Sequence, residues 1–243
     1  MFGLGTIVNT LCILAGGTLG LVAGKLLTDR FQKILTVAMG LSTMALALSG
    51  MMSGMLVVEG DTISTRGTYL IIFSLVLGAI CGEAVNIDEG LERFGTWLKN
   101  KTGNARDAAF VDGFVTASLT VCIGAMAVMG SIMDAIYGDH SILFTKGILD
   151  FIIVMVMAAS KGKGCIFSAI PVFLFQGSIT LLARVIAPLL NDTAVANLSM
   201  VGSVLILCIG INLICDGRFR IKVANLLPAI LFAVAGAYVG FLN

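Results

Sequence analysis

The residues best placed to do chemistry are the few ionisable ones that fall inside long apolar stretches. Asp150 sits about two turns into such a stretch, in Lys146-Gly-Ile-Leu-Asp150-Phe-Ile-Ile, and Lys146, four residues earlier, shares its face of a helix. A lone charge near the centre of a bilayer costs at least about 2.5 kcal/mol, so such a residue lines a cavity or has a partner. Two readings stand side by side. One is an intrahelical ion pair that lets both side chains tolerate partial burial; the other is a proton or cation site with Asp150 as the ion-coupling group. Asp134, after Gly130-Ser-Ile-Met, falls near the end of the preceding stretch and reads as a solvated interfacial carboxylate. Arg184, near the end of a later stretch, pairs with one of these carboxylates, attracts an anion or snorkels outward. Lys146, Asp134 and Arg184 are therefore the candidate gating or vestibule charges.

Neutral polar groups join the same region, and Asn9, Thr120 and Gln176 are the candidate substrate contacts. A Thr hydroxyl inside a span commonly bonds back to its own helix. A buried amide needs an external partner, which sets Asn9 and Gln176 apart. Pro171, upstream of Gln176, lacks a backbone donor and invites a kink that would free carbonyls to bind an ion or solute.

Other chemistry has little to stand on. The six cysteines lie within or at the ends of apolar stretches with no C-x-x-C pair, which argues against a disulfide framework or a zinc site. The single His140, in Gly138-Asp-His-Ser141, reads as an exposed loop residue, one imidazole being too few for a tight metal site. There is no H-E-x-x-H, no G-x-S-x-G and no phosphate-binding glycine loop. We expect no enzyme activity, no metal and no cofactor, and a net charge of +1 provides no field for nucleic acid.

The elements that must position these residues follow from composition. Hydrophobic residues make up 58% of the chain, charged ones 12%, and the mean hydropathy is +1.04, so lipid is the solvent for most of it. A helical span needs about 20 apolar residues, and that ruler gives eight: 2–24, 34–57, 67–87, 109–135, 142–160, 164–188, 195–214 and 223–242. The first is apolar from Phe2 with no basic residue before it, which reads as a retained span and not a cleaved signal. The longest link, 88–108, reads as an interfacial amphipathic helix carrying Leu91, Phe94, Trp97 and Leu98. The expected fold is all-α: a polytopic membrane helix bundle of about eight transmembrane helices, forming one integral membrane domain over 1–243.

Basic residues alternate strictly between links, as they do when one side faces the cytoplasm. Lys25, Arg30 and Lys33, then Arg93, Lys99, Lys101 and Arg106, then Lys161 and Lys163, then Arg218, Arg220 and Lys222 all fall on one side, twelve of 15 in the chain. Both termini then face outward, and Tyr69, Tyr137 and Tyr238 fall at the outer interface with Trp97 at the inner one. Glu83, Asn86, Asp112, Asp216 and Asn225 on the inner side read as helix caps or solvated groups.

An internal match at an offset of 110 pairs Thr10-Leu-Cys-Ile-Leu-Ala-Gly-Gly-Thr-Leu-Gly20 with Thr120-Val-Cys-Ile-Gly-Ala-Met-Ala-Val-Met-Gly130. It suggests an inverted-topology repeat of 1–108 and 109–190 followed by two C-terminal helices, with a rival pairing of spans 1–3 and 6–8 left open. Glycines four apart (Gly16, Gly20, Gly24; Gly50, Gly54; Gly78, Gly82; Gly236, Gly240) allow close backbone approach, within the bundle or across a homo-oligomer seam.

From Cys122-Ile-Gly-Ala-Met-Ala-Val-Met-Gly-Ser-Ile132, through Asp134, Lys146-Gly-Ile-Leu-Asp150 and Phe167-Ser-Ala-Ile-Pro-Val172, to Phe175-Gln-Gly-Ser178, the chain resembles the YqgA-type proteins of unknown function. Gly5-Thr-Ile-Val-Asn9, Ile211-Asn-Leu-Ile and Val223-Ala-Asn-Leu-Leu-Pro228 fit the same pattern, so the resemblance covers essentially the whole chain. It implies a small bacterial inner-membrane protein, known as a membrane protein or proposed transporter, and brings no established binding residues. The functional expectation is a secondary transporter of a small solute or ion, with the lipid bilayer as its other partner. The alternative is a non-transporting scaffold or regulatory subunit.

Overall fold

The computed structural model of the chain describes residues 3–59, 62–215 and 219–239; Phe2, Asp216, Arg218 and Gly240 of the sequence reading lie outside them. In chain order the elements are α1 (Leu4–Gly24), α2 (Asp29–Met55), β1 (Leu56–Glu59), β2 (Thr62–Thr65), α3 (Thr68–Val85), α4 (Ile87–Lys101), α5 (Phe110–Cys122), α6 (Ala125–Tyr137) and α7 (Ser141–Lys161). A 3-10 turn (Lys163–Ser168) leads into α8 (Ala169–Leu181), followed by α9 (Ala183–Ile186), α10 (Asp192–Cys215), α11 (Val223–Leu226) and α12 (Ala229–Gly236). The bundle is all-α apart from the antiparallel hairpin β1–β2, which pairs Leu56 with Thr65 and Glu59 with Thr62 at the end of α2. The alternation in Thr62-Ile-Ser-Thr65 is a strand signal too short to register in a span-length search.

The expected spans are helical over most of their described residues, except that Leu56 and Val57 fall in β1, and a count of eight is not confirmed by helix length. Among the described residues, six segments are long and apolar enough to cross a membrane: α1, α2, α3, α7, α10 and the run Lys163–Leu181. The expected span 109–135 is two helices, α5 and α6, bent by 61°; counted as one crossing, they make seven. The last expected span is the short pair α11 and α12. The break in the fourth span has a local cause, because Gly124 takes φ 147° and ψ 149°, a region that only glycine occupies without strain. Replacing Gly124 by alanine is expected to cost about 1–3 kcal/mol of stability, measured by thermal unfolding in nanodiscs; an unchanged melting temperature would mean the break does not depend on this conformation. Pro171, expected to kink its helix, instead falls in the first turn of α8, where a missing N–H is least costly.

Glycine stripes hold the bundle together. A methyl group built on Gly16, Gly20 or Gly24 would lie 2.3, 2.1 or 2.6 Å from the carbonyl oxygens of Phe151, Met155 and Ala159 on α7. No side chain fits there, so α1 and α7 pack backbone to backbone, the way helices gain contact where lipid removes any hydrophobic drive. Gly50 and Gly54 make room for side chains of α10, Ser203 and Met200, and Gly78 and Gly82 meet the backbone of Ala229 and Asn225. These three stripes pack within one chain, the first of the two uses expected of them.

At the end of the bundle that carries the basic links, α4 lies against α5 and α11, burying Leu98 and stacking Phe94 on Trp97 (5.7 Å) and against Phe114 (5.8 Å). Charges from different links meet here. Arg220 bonds Asp88 (3.1 Å) and Glu92, Lys222 bonds Glu83 (3.1 Å), and Lys161 bonds Asp112 (2.7 Å). Asn225 donates to Glu83 (2.6 Å) and accepts from the Asp88 amide (2.7 Å). Glu83 and Asn225, read as separate caps, thus belong to one network with Asp88, Glu92, Arg220 and Lys222, and Asp112–Lys161 is a pair of its own. Burial pushes the Asp88 carboxyl above the usual carboxylate range, with Arg220 opposing it.

Candidate functional site

The break between α5 and α6 is where the buried ion pair of α7 meets a free helix end. An α-helix leaves its last four carbonyls without intrahelical donors and carries partial negative charge there. Because α5 stops at Cys122, the carbonyl of Val121 is such a group, and the Lys146 ammonium donates to it at 2.8 Å. The same ammonium donates to Asp150 Oδ2 at 2.6 Å, with the two side chains 8% and 4% exposed. Lys146 therefore does two jobs: it caps the C-terminus of a half-helix and neutralises a buried carboxylate. The pair expected from the four-residue spacing is present, and its link to Val121 could not be read from sequence. Beyond the break, the first N–H groups of α6 point back toward it. A methyl group on Gly124 would meet nothing within 4 Å, so there is open space at the break.

Asn9 and Gln176 complete the region. Both are 0% exposed, and neither the oxygen nor the nitrogen of either amide completes a hydrogen bond. Asn9 lies on the buried face of α1 against Gly147 of α7, with its side-chain amide directed to the Asp150 carboxylate. Gln176 lies on the buried face of α8, which packs against α1, α5 and α6. The Thr6 and Thr180 hydroxyls are 3.5 Å apart, and one turn inward on each helix brings Asn9 and Gln176 to similar depth at the α1–α8 contact. A buried amide without a partner loses about 1–3 kcal/mol for each unmade bond, so two in one neighbourhood demand an explanation. Two native thiols flank the region. Cys12 Sγ comes within 3.3 Å of where a Gly147 side chain would start, and Cys122 ends α5.

The remaining expected site residues fare differently. The Thr120 hydroxyl donates to the Thr116 carbonyl of its own helix (2.7 Å), so it is committed locally and is not a free substrate contact. Asp134 is not a solvated interfacial carboxylate. It is 1% exposed, accepts from the Gly5 amide at 3.0 Å and contacts His140 Nδ1 at 2.6 Å. It caps the start of α1 and ties it to the turn before α7, a role hidden from sequence by a separation of 129 residues. His140 is correspondingly only 18% exposed, not a free loop residue. Arg184 is exposed on α9 and, among the described residues, pairs with neither Asp134 nor Asp150. A cavity of about 810 Å³ beside the Asp112–Lys161 pair stops short of the site and is bounded by residues including Gln32, Thr36, Asp112, Ser160 and Leu213. None of Asn9, Lys146, Asp150 or Gln176 lines it.

Whole-chain comparison agrees with this picture of a membrane protein. The chain is similar to the uncharacterized membrane protein YdfK of Bacillus subtilis, 33% identical over 227 residues that cover 93% of this chain and 92% of the relative. It is also similar to the uncharacterized protein YqgA of Escherichia coli, 27% identical over 235 residues, or 95% and 94% of the two chains. No solved structure matches it. The family model described as protein of unknown function DUF554 matches residues 4–238, and the chain belongs to that family.

Proposed function

We propose that this membrane protein is a carrier, not an enzyme or a scaffold, and that it moves a small solute through a site formed by Asn9, Lys146, Asp150 and Gln176. The observation that carries the reading is the pair of fully buried, unsatisfied amides beside a buried ion pair at a helix break. A scaffold has no reason to keep such groups dry, since apolar residues of similar size are as stable or more so. A carrier has one: groups that face each other across a closed site are unsatisfied until solute arrives, and discontinuous helices supply their free ends to it. In this reading the described conformation is occluded, and sliding of α1 along α7 on the Gly16–Gly20–Gly24 stripe opens it. Asp150 is the ion-coupling group, and the orientation follows the basic links, with both termini outside and the bacterial inner membrane as the location.

The native thiols test it. With Cys81, Cys165, Cys208 and Cys215 replaced by alanine, Cys12 and Cys122 are expected to react with a membrane-impermeant methanethiosulfonate in right-side-out or inverted vesicles. An Asp139→Cys control reports that reagent is present. Failure of both site thiols to react from either side would mean that the region never opens to water.

A further inference from the structure

Resting on the carrier reading, we infer that the solute is a small monoanion bearing a carboxylate, taken up together with one proton on Asp150. The charge at the break carries the inference. Lys146 and Asp150 sum to zero and lie 2.6 Å apart in a region shielded from water. A proton arriving on Asp150 would leave the Lys146 ammonium uncompensated, which is costly in low dielectric. A monoanion arriving alone would leave Asp150 uncompensated. Each binding event removes the penalty of the other, so the two are obligatorily coupled and the loaded site is again neutral.

The unused hydrogen-bonding capacity favours an acceptor-rich ligand. An ammonium has three N–H donors, and Lys146 directs its bonds to two acceptors, Val121 and Asp150. Gln176 brings an amide NH₂ with no acceptor, and Asn9 brings one that faces the Asp150 carboxylate and is released when that carboxylate takes a proton. The first N–H groups of α6 add partial positive charge at the break, beside the open space at Gly124. A carboxylate, with about four acceptor positions on two oxygens, satisfies such a set. A metal cation would face the Lys146 ammonium, with Asp150 as the one carboxylate available to it.

The other titratable groups around Asp150 do not replace it. Beside Lys146 on its own helix, α1 presents Cys12 and α5 presents Cys122. On α6, Asp134 is engaged with Gly5 and His140 at the outer end. Lys33 of α2, the pair Asp112–Lys161, and Lys163 with Cys165 lie at the inner end.

The test uses the full chain in nanodiscs, with formate, acetate, lactate and pyruvate as monoanion probes, glycine as a zwitterion, and sodium and potassium as cations. For at least one monoanion, calorimetry in two buffers of different ionisation enthalpy is expected to show uptake of close to one proton per anion bound. Its Kd is expected to rise by up to about tenfold per pH unit between pH 5.5 and 7.5. Asp150→Asn, which keeps the neutral form permanently, is expected to bind the same anion with no pH dependence, and Lys146→Gln to lose it. Should Asp150→Asn fail to fold, the proton count on the native protein decides. Binding of glycine or a cation but no monoanion, anion binding without proton uptake, or no binding of any monoanion overturns the inference. The thiol experiment is independent of all of these, so reactive Cys12 or Cys122 with no anion binding would leave the carrier reading standing and remove only the substrate class.

Discussion

Lys146→Met is expected to destabilise the protein by about 3–5 kcal/mol, because it strands the Asp150 carboxylate in the core without a counter-charge. The Val121 carbonyl loses its donor in the same step, and the two losses are coupled and do not add in full. The variant Lys146→Met with Asp150→Leu removes both charges and is expected to recover most of the loss, since a buried ion pair and a well-packed apolar pair differ little in stability. Denaturant unfolding of the three proteins in a fixed lipid and detergent mixture measures this. The double variant separates stability from function: it should fold and yet show none of the solute binding assigned to the site. If Lys146→Met were as stable as the native protein, the ion pair would not be the dry, closed contact described, and the electrostatic argument would fall with it.

Gly20→Leu is expected to be at least as damaging as any other glycine substitution on α1, costing about 3 kcal/mol or more. Even the first carbon of a side chain would sit 2.1 Å from the Met155 carbonyl oxygen, and that oxygen belongs to the helix backbone and cannot rotate aside. α1 must therefore move off α7. Asn9 rides on α1 against Gly147, so the same substitution should expose the site, and Cys12 should react faster with a thiol reagent than in the native protein. Gly90→Ala on α4, where nothing lies within 4 Å, is the matched control and should stay within about 1 kcal/mol of native, a helix-propensity effect. Equal effects at Gly20 and Gly90 would show that the α1–α7 contact is looser than its geometry.

The two effects share one origin. α7 supplies a bare backbone ridge to α1 and a buried charge pair to the break between α5 and α6, so the site and the tightest helix contact are built on the same helix. Mutations along either face of α7 should then alter both stability and solute binding.

Hydropathy alone determines that the chain is a membrane helix bundle, because the price of exposing polar backbone to lipid leaves helices as the means by which runs of this length and composition cross. Spacing alone also pairs Lys146 with Asp150, since residues four apart share a helix face, and burial chemistry alone singles out Asn9 and Gln176. The rest depends on contacts between distant segments. Gly124 breaks a helix while Gly16, Gly20 and Gly24 leave theirs intact, and nothing local distinguishes them. α1 also runs unbroken through Leu14, the position that an offset of 110 aligns with Gly124. Asp134 becomes a buried cap because α1 starts beside it, Thr120 is taken by its own helix, and Arg184 points away from both carboxylates. What tertiary structure decided is which of the polar groups are satisfied: hydrogen bonding is settled by neighbours brought together across the bundle, and the amides of Asn9 and Gln176, on which the proposed site rests, are among the few groups left over.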